Sequence, residues 1–280
     1  MPIIDAHTHL FPPDVIAGRE KIAARDERFA LIYADTRARM VDETGLQLYM
    51  ADERVDHAVV SAFPFKDRGL ISACNDYLLA AGSRDPRIIP FVMVDPHDDG
   101  FALSEIERCL RRGARGIGEL AFYDTGFGRE ERQKLDVVAG CARACGLPLM
   151  LHVNEQVGHA YQGKSSIDFR ELVACIEAHQ GLPFILSHLG GGLCFYEFMP
   201  EIKDRFAHVY YDLAAVPFLY SRDIYQFVTQ FMPDRVLFGS DYPLLTYRRY
   251  EKDLQVLGEE VREKLLYQNA RRLLGKDRLG

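Results

Sequence analysis

Short apolar runs alternate with amphipathic stretches along this chain. Pro2-Ile3-Ile4 leads into Asp5-Ala6-His7-Thr8-His9, and apolar runs recur at 57–62, 88–94, 116–120, 147–153, 183–188, 209–213 and 236–240. Between them, apolar residues spaced by three and four predict helices at 43–54, 70–81, 101–112, 130–145, 169–179, 196–205 and 222–231, and the remainder to Leu274 reads as helical. Continuous rather than alternating apolarity is expected of parallel strands covered on both faces. Eight β-α units in about 250 residues match the arithmetic of a (β/α)8 TIM barrel. The alternative, an open doubly wound sheet, normally carries a glycine-rich turn after its first strand, and His7-Thr8-His9 stands there instead. Residues 11–42 read as an elaborated loop in which 29–33 and 39–41 pair as a small hairpin. The whole chain, 1–280, is expected to form one α/β barrel domain with added C-terminal helices.

Composition narrows the function without choosing it. A net charge of −7 argues against a broad nucleic-acid-binding face, although a small basic groove is compatible with it. No run approaches the roughly 18–20 apolar residues that span a bilayer, and the chain opens on a strand without a basic leader, so a cytoplasmic protein is expected. The six cysteines show no paired CxxC spacing and read as reduced thiols.

The chemistry sits where the strands end, the face on which such barrels place it. His7 and His9 alternate with Thr8, so both project from one side of a strand, about 7 Å apart along it, as two ligands for one ion could. Strand four ends on Glu119, strand five on His152, strand six on His188 and strand eight on Asp241. Each can bind a metal or transfer a proton, and an uncompensated charge at an apolar rim is costly, so their recurrence there points to a metal site.

Taken together, Asp5-Ala6-His7-Thr8-His9-Leu10, Leu151-His152, Ser187-His188-Leu189-Gly190-Gly191 and Gly239-Ser240-Asp241-Tyr242-Pro243 resemble the amidohydrolase superfamily. The closest likeness is to its amidohydrolase-related branch, which includes aminocarboxymuconate-semialdehyde decarboxylase. The resemblance implies that His7, His9, His152 and Asp241 ligate a divalent ion, most often zinc (Zn2+). It implies His188 beside the bound water or on a second ion, with Asp241 accepting a proton from that water. Glu119 divides two cases: bridging two ions, as the strand-four residue does in binuclear members, or accepting hydrogen bonds from His152 or substrate. Gly116-Ile117-Gly118-Glu119 also resembles the strand-four motif of TatD-type nucleases. The implied reaction is hydrolysis of an ester, lactone or amide bond of a small carboxylated molecule, with non-oxidative decarboxylation as the alternative. Relatives often dimerise, so a homodimer is compatible with the resemblance, and the loop after strand one could contribute to its contact.

On the substrate side, Asn154, His159, Tyr161 and Lys164 of the loop after strand five could bind an anionic or polar group, Lys164 being the natural carboxylate partner. The same loop could equally be solvated and polar. Phe63-Pro64-Phe65 and Phe122-Tyr123 could wall a pocket or simply pack. Asp212, at the end of strand seven, could orient a ligand histidine or cap a helix. His57, His97, His179 and His208 lie away from the strand ends and are expected to stand apart from the site.

Overall fold

The structure, a computed structural model, describes residues 1–275. Eight parallel strands follow one another around a barrel in chain order: β1 (Ile4–His9), β2 (His57–Ser61), β3 (Ile88–Val92), β4 (Gly116–Leu120), β5 (Leu149–Leu151), β6 (Phe184–Leu186), β7 (Val209–Asp212) and β8 (Val236–Leu237). The chain after β8 returns to β1: Ala6 N donates to the Phe238 carbonyl (2.8 Å), Asp241 N to the His7 carbonyl (2.9 Å) and His9 N to the Tyr242 carbonyl (2.7 Å). The eight-unit reading is therefore the fold. Alternate residues of the strands fill the barrel interior, where Ile4, Ala6, Ile89, Phe91, Met150 and Leu237 pack as one cluster. The C-terminal helix Asn269–Leu274 closes that cluster with Ala270 and Leu274. The opposite residues meet the surrounding helices in a second and larger core.

Residues 11–42 differ from expectation. There is no hairpin: 29–33 lie in the helix Glu27–Tyr33, and 39–41 belong to no strand. The Asp26 side chain caps this helix by accepting from Phe29 N at 3.0 Å, and Phe29 and Tyr33, four apart, bury one face against Phe11, Phe63 and Phe65. Arg28, on the same helix and buried, pairs with Asp95 (3.3 Å) and Asp124 (2.9 Å), tying the first loop to those after β3 and β4. The expected helix at 196–205 is instead a run of tight turns, His188–Phe198, followed by the helix Pro200–Arg205. All six cysteines are free.

A fully buried carboxylate fixes the seam between β8 and β1. Asp5 accepts from Ser240 Oγ (2.5 Å), Tyr49 Oη (2.7 Å), Ser240 N (2.9 Å) and His7 N (3.3 Å). Four donors on one side chain hold the chain just before Asp241 against the strand that carries His7 and His9. An amide in place of this carboxylate aims its own donors at those groups and strands some of them. Asp5→Asn is accordingly expected to lower the unfolding free energy by about 2–3 kcal/mol, and Tyr49→Phe, which removes one donor, by about 1 kcal/mol. Urea titration of the three proteins checks the order; equal stabilities would show that the seam is held by backbone bonds alone.

Candidate metal centre

The strand ends bring His7, His9, Glu119, His152, His188 and Asp241 together at one mouth of the barrel. They form two clusters, His7–His9–Asp241 and Glu119–His152–His188, in each of which the potential ligand atoms lie within 4.8 Å of one another. In the first, His7 Nε2 is 3.2 Å from His9 Nε2, and Asp241 Oδ1 is 3.2 Å from His9 Nε2 and 3.8 Å from His7 Nε2. In the second, His152 Nδ1 is 3.2 Å from both Glu119 Oε1 and His188 Nε2. Glu119 reaches both clusters, because its other oxygen lies 3.4 Å from His7 Nε2 and 3.7 Å from His9 Nε2.

Local backbone explains how the side chains reach this space. Asp241 (φ 63°) and His188 (φ 56°) stand in the left-handed region, which costs a non-glycine residue about 1–2 kcal/mol. Leu189 through Gly192 continue there, turning the chain sharply away after His188. A Cβ on Gly191 would lie 2.2 Å from the Asn154 carbonyl oxygen, so this glycine lets the loops after β5 and β6 touch. Gly118 (φ +126°) likewise has no room for a side chain, since a Cβ would sit 2.3 Å from the Met150 carbonyl oxygen. That close approach brings Glu119 beside β5 and His152.

The hydrogen bonds of the histidines decide what faces inward. His7 Nδ1 lies 2.8 Å from Asp212 Oδ2, His188 Nδ1 2.8 Å from the Ala214 carbonyl and His152 Nε2 3.1 Å from the Gly163 carbonyl. Each partner can only accept, so each of these ring nitrogens carries the hydrogen. The opposite nitrogens, His7 Nε2, His188 Nε2 and His152 Nδ1, are left to face the shared space. Asp212 does more than orient His7: its Oδ1 accepts from His188 N (2.9 Å) and Ala214 N (3.0 Å), holding the two histidines in one frame.

Two largely buried carboxylates and the inward imidazole nitrogens thus converge on one space. Among the described residues, Glu119 and Asp241 pair with histidines and with no lysine or arginine. Two ligands about 2.1 Å from one ion stand roughly 3.0–3.4 Å apart at octahedral or tetrahedral angles, close to the separations here. The donor set fits a divalent cation. The charges also show in the titrations. Burial pushes His7 and His152 down, but the carboxylates prevail: Glu119 and Asp212 hold His7 well above its ordinary value, and Glu119 raises His152. Burial likewise opposes ionisation of Asp241 and Glu119, yet the surrounding imidazoles hold Asp241 down at about 2 and Glu119 well below the usual carboxylate range.

A cavity of about 620 Å³ opens over this centre. His9, Glu119, His152, His188 and Asp241 form part of its lining, and Tyr33, Phe63, Tyr123 and Phe218 give it aromatic walls. His159 and Tyr161 also line it, although the Tyr161 hydroxyl donates to Glu155 at 2.7 Å. Asn154 and Lys164 do not. The Asn154 side chain clamps Ser165, accepting from its N (3.0 Å) and donating to its carbonyl (2.8 Å). Lys164 donates to the Val157 and His159 carbonyls of its own loop, so both residues close the loop instead of facing the cavity. Tyr33, Arg37 and Arg39 reach the cavity from the first loop, and the hairpin reading leaves them out. Among the described residues, His57, His97 and His208 join no potential ligand cluster, and His179 belongs to a separate one with Asp136 and Cys175.

A barrel whose strand ends gather such donors is the architecture of a metal-dependent enzyme. The sequence matches the amidohydrolase family profile over residues 4–276, and the chain belongs to that family. No curated relative matches significantly. Among solved structures, 5-carboxyvanillate decarboxylase LigW from Sphingomonas paucimobilis is similar with a TM-score of 0.74 at 18% identity, over 98% of each chain. The 5-carboxyvanillate decarboxylase from Novosphingobium aromaticivorans, solved with manganese and 4-hydroxy-3-methoxy-5-nitrobenzoic acid, gives 0.70 at 17% over 98% of this chain and 96% of the other. A 2,6-dihydroxybenzoate decarboxylase from Rhizobium gives 0.68 at 17% over 99% of each. No helix among the described residues is long and apolar enough to cross a membrane.

Asp212→Asn is expected to weaken divalent-ion binding by about 10–100-fold while the fold is kept, because the amide disrupts the acceptor that fixes the His7 ring. Competition with a chromogenic chelator measures it; unchanged affinity would leave Asp212 a purely structural role. The same titration carried from neutral to mildly acidic pH should show affinity falling, since protons and the ion compete for the same imidazole nitrogens and carboxylates.

Proposed function

We propose that this protein is a metal-dependent, non-oxidative decarboxylase of a small aromatic carboxylate. The observation that carries the reading is the cavity. It falls within the size range of small-molecule sites, with aromatic walls and a floor made of the metal donors. The similar structures named above are decarboxylases of substituted benzoates, which favours this reading over hydrolysis.

In this scheme His7, His9 and Asp241 hold the ion, zinc or manganese. When bound, the ion supplies positive charge that fixes the substrate's oxygens and stabilises the electron density left as CO2 departs. The second cluster handles the proton. His152, with Nε2 bonded to Gly163, keeps a second proton at Nδ1 between Glu119 Oε1 and His188 Nε2, each 3.2 Å away. His188, which lines the cavity, takes this proton from His152 on its Nε2 and passes it to the carbon that loses the carboxylate, after which solvent reprotonates His152. The balance is R–COO⁻ + H⁺ → R–H + CO2, the electron pair of the broken carbon–carbon bond becoming the new C–H bond. Tyr33, Phe63 and Tyr123 exclude water and set the ring's plane. His159 and Tyr161 are read as outer contacts for a polar substituent.

A second reading rests on one specific observation, the two Glu119 oxygens facing one cluster each. If each cluster were to hold an ion, Glu119 would offer one oxygen to each, and Asp241 would accept a proton from water in hydrolysis of an ester, lactone or amide.

Isotopes separate the two. In D2O, the metal-loaded enzyme given 2,6-dihydroxybenzoate or 5-carboxyvanillate should release CO2 and leave a single deuterium on the ring carbon, with a single ion per chain by elemental analysis. His188→Asn should keep that ion and lose about 10²–10⁴-fold in turnover. Incorporation of labelled oxygen from water into the cleaved product of an ester or lactone panel, with an ion on each cluster, would replace decarboxylation by hydrolysis.

A further inference from the structure

A second set of metal donors stands apart from the barrel mouth, between the helix Arg129–Cys145 that follows β4 and the helix Phe169–Ala178 that follows β5. Asp136, Cys175 and His179 each offer one potential ligand atom there, and the three atoms lie within 4.8 Å of one another. Cys175 and His179 are four apart, so they share one face at the end of their helix. The neighbouring helix meets that face with Arg132, Asp136 and Gly140, spaced in the same way. Arg132 pairs with Glu171 (2.7 Å) and with Asp136 Oδ2 (2.9 Å), which ties the two helices together and leaves Asp136 Oδ1 beside His179 Nε2 at 3.1 Å. A Cβ on Gly140 would lie 4.0 Å from His179 Cε1, so the ring rests against a position without a side chain.

Packing alone leaves these groups poorly served. The His179 side chain is only 10% exposed, yet its Nδ1 is buried and, among the described residues, has no hydrogen-bond partner. A buried imidazole that merely fills space ordinarily has its polar atoms paired. Cys175 is fully buried, and burial together with the Asp136 carboxylate beside it holds the thiol well above its ordinary value. A divalent ion reverses that balance, because a coordinating thiol gives up its proton. One sulfur, one nitrogen and one oxygen donor suit zinc and similar borderline-soft ions, whereas magnesium and calcium take oxygen ligands. The Asp136 side chain is 26% exposed, so the set meets solvent on that side, where an ion can enter and water can complete a tetrahedron.

We infer that Asp136, Cys175 and His179 form a second divalent-metal site, for zinc or a similar borderline-soft ion, separate from the centre at the barrel mouth. Binding exchanges one proton for one ion, Cys–SH + M2+ → Cys–S–M+ + H+, so it strengthens as pH rises. The bound ion clamps together the helices that follow β4 and β5, the strands leading to Glu119 and His152.

Cobalt(II) titrated into the full chain, freed of bound metal by a chelator, tests this. A thiolate ligand gives cobalt a strong near-ultraviolet charge-transfer band, and the donors at the barrel mouth are nitrogen and oxygen, so they cannot produce it. The wild type should develop the band to saturation and lose it when zinc is added. Cys175→Ala should abolish the band with an unchanged far-UV spectrum, and Cys141→Ala with Cys145→Ala, on the neighbouring helix, should keep it. If Cys175→Ala fails to fold, Asp136→Asn takes its place and should raise the cobalt dissociation constant by about tenfold or more. A wild type that shows no such band at millimolar cobalt overturns the proposal. A band that survives in folded Cys175→Ala, or an affinity unmoved by Asp136→Asn, overturns it equally.

Discussion

The site at the strand ends is organised by an imbalance: acceptors gather where, among the described residues, no lysine or arginine answers them. Glu119 and Asp241 are largely removed from bulk water, and His7, His152 and His188 direct their N–H groups outward, to Asp212, Gly163 and Ala214. Leaving such groups facing one another costs several kcal/mol unless positive charge lies between them. Protons on the imidazoles are one source of that charge, and a divalent cation is the other. The raised His7 and His152 and the depressed Asp241 describe the first condition, and the donor separations suit the second.

Much of the barrel can be understood as the scaffold that tolerates this imbalance. A (β/α)8 barrel delivers side chains from each strand end to a common mouth, and its parallel ladders keep those ends in register. Ligands from β1 and from the chain after β8 are far apart in sequence, so their spacing depends on the seam where the barrel closes. Asp5 is buried there, and the neighbouring Asp241 occupies a left-handed conformation that a loose seam would let relax. Asp212 performs the matching task on the other side, binding the ring of His7 and the backbone of His188 with one carboxylate.

How much of this is legible without coordinates follows from range. The strands can be read because burial on both faces makes runs such as Ala58-Val59-Val60 continuously apolar, and the strand ends then nominate His7, His9, Glu119, His152, His188 and Asp241. Local patterns that compete on equal terms cannot be resolved this way. Phe29–Tyr33 is apolar enough for a strand, and only the Asp26 cap and the burial of Phe29 and Tyr33 against Phe63 and Phe65, which come from another loop, make it helical. The same applies to Asn154 and Lys164, whose polar atoms serve either substrate or their own loop. Nearby carbonyls of Ser165, Val157 and His159 satisfy them first, and that competition is invisible in residue types. Tyr33 and Arg28 escape a reading of the sequence because their roles come from tertiary neighbours alone.

The six strand-end residues admit two divisions of labour, and the difference lies in what occupies the space between Glu119, His152 and His188. Were it to hold an ion, that cluster would use one Glu119 oxygen while the other faces His7 and His9, an arrangement suited to activation of water. Filled by a proton, it becomes a relay in which Glu119 stabilises charge on His152 and His188 stands between that proton and the cavity. The outward bond of His152 to Gly163 is compatible with either, since it commits Nε2 and leaves Nδ1 to take a metal or a hydrogen. The cavity argues for the relay. Tyr33, Phe63, Tyr123 and Phe218 wall part of the chamber above the donors, and on the proposed reading a carbanion-like centre formed there would take its proton from the protein rather than from solvent. Hydrolysis would need water led into the same chamber as a reactant. The proposed decarboxylation, which consumes a proton, is the chemistry that aromatic side chains beside a proton-sharing histidine pair would serve.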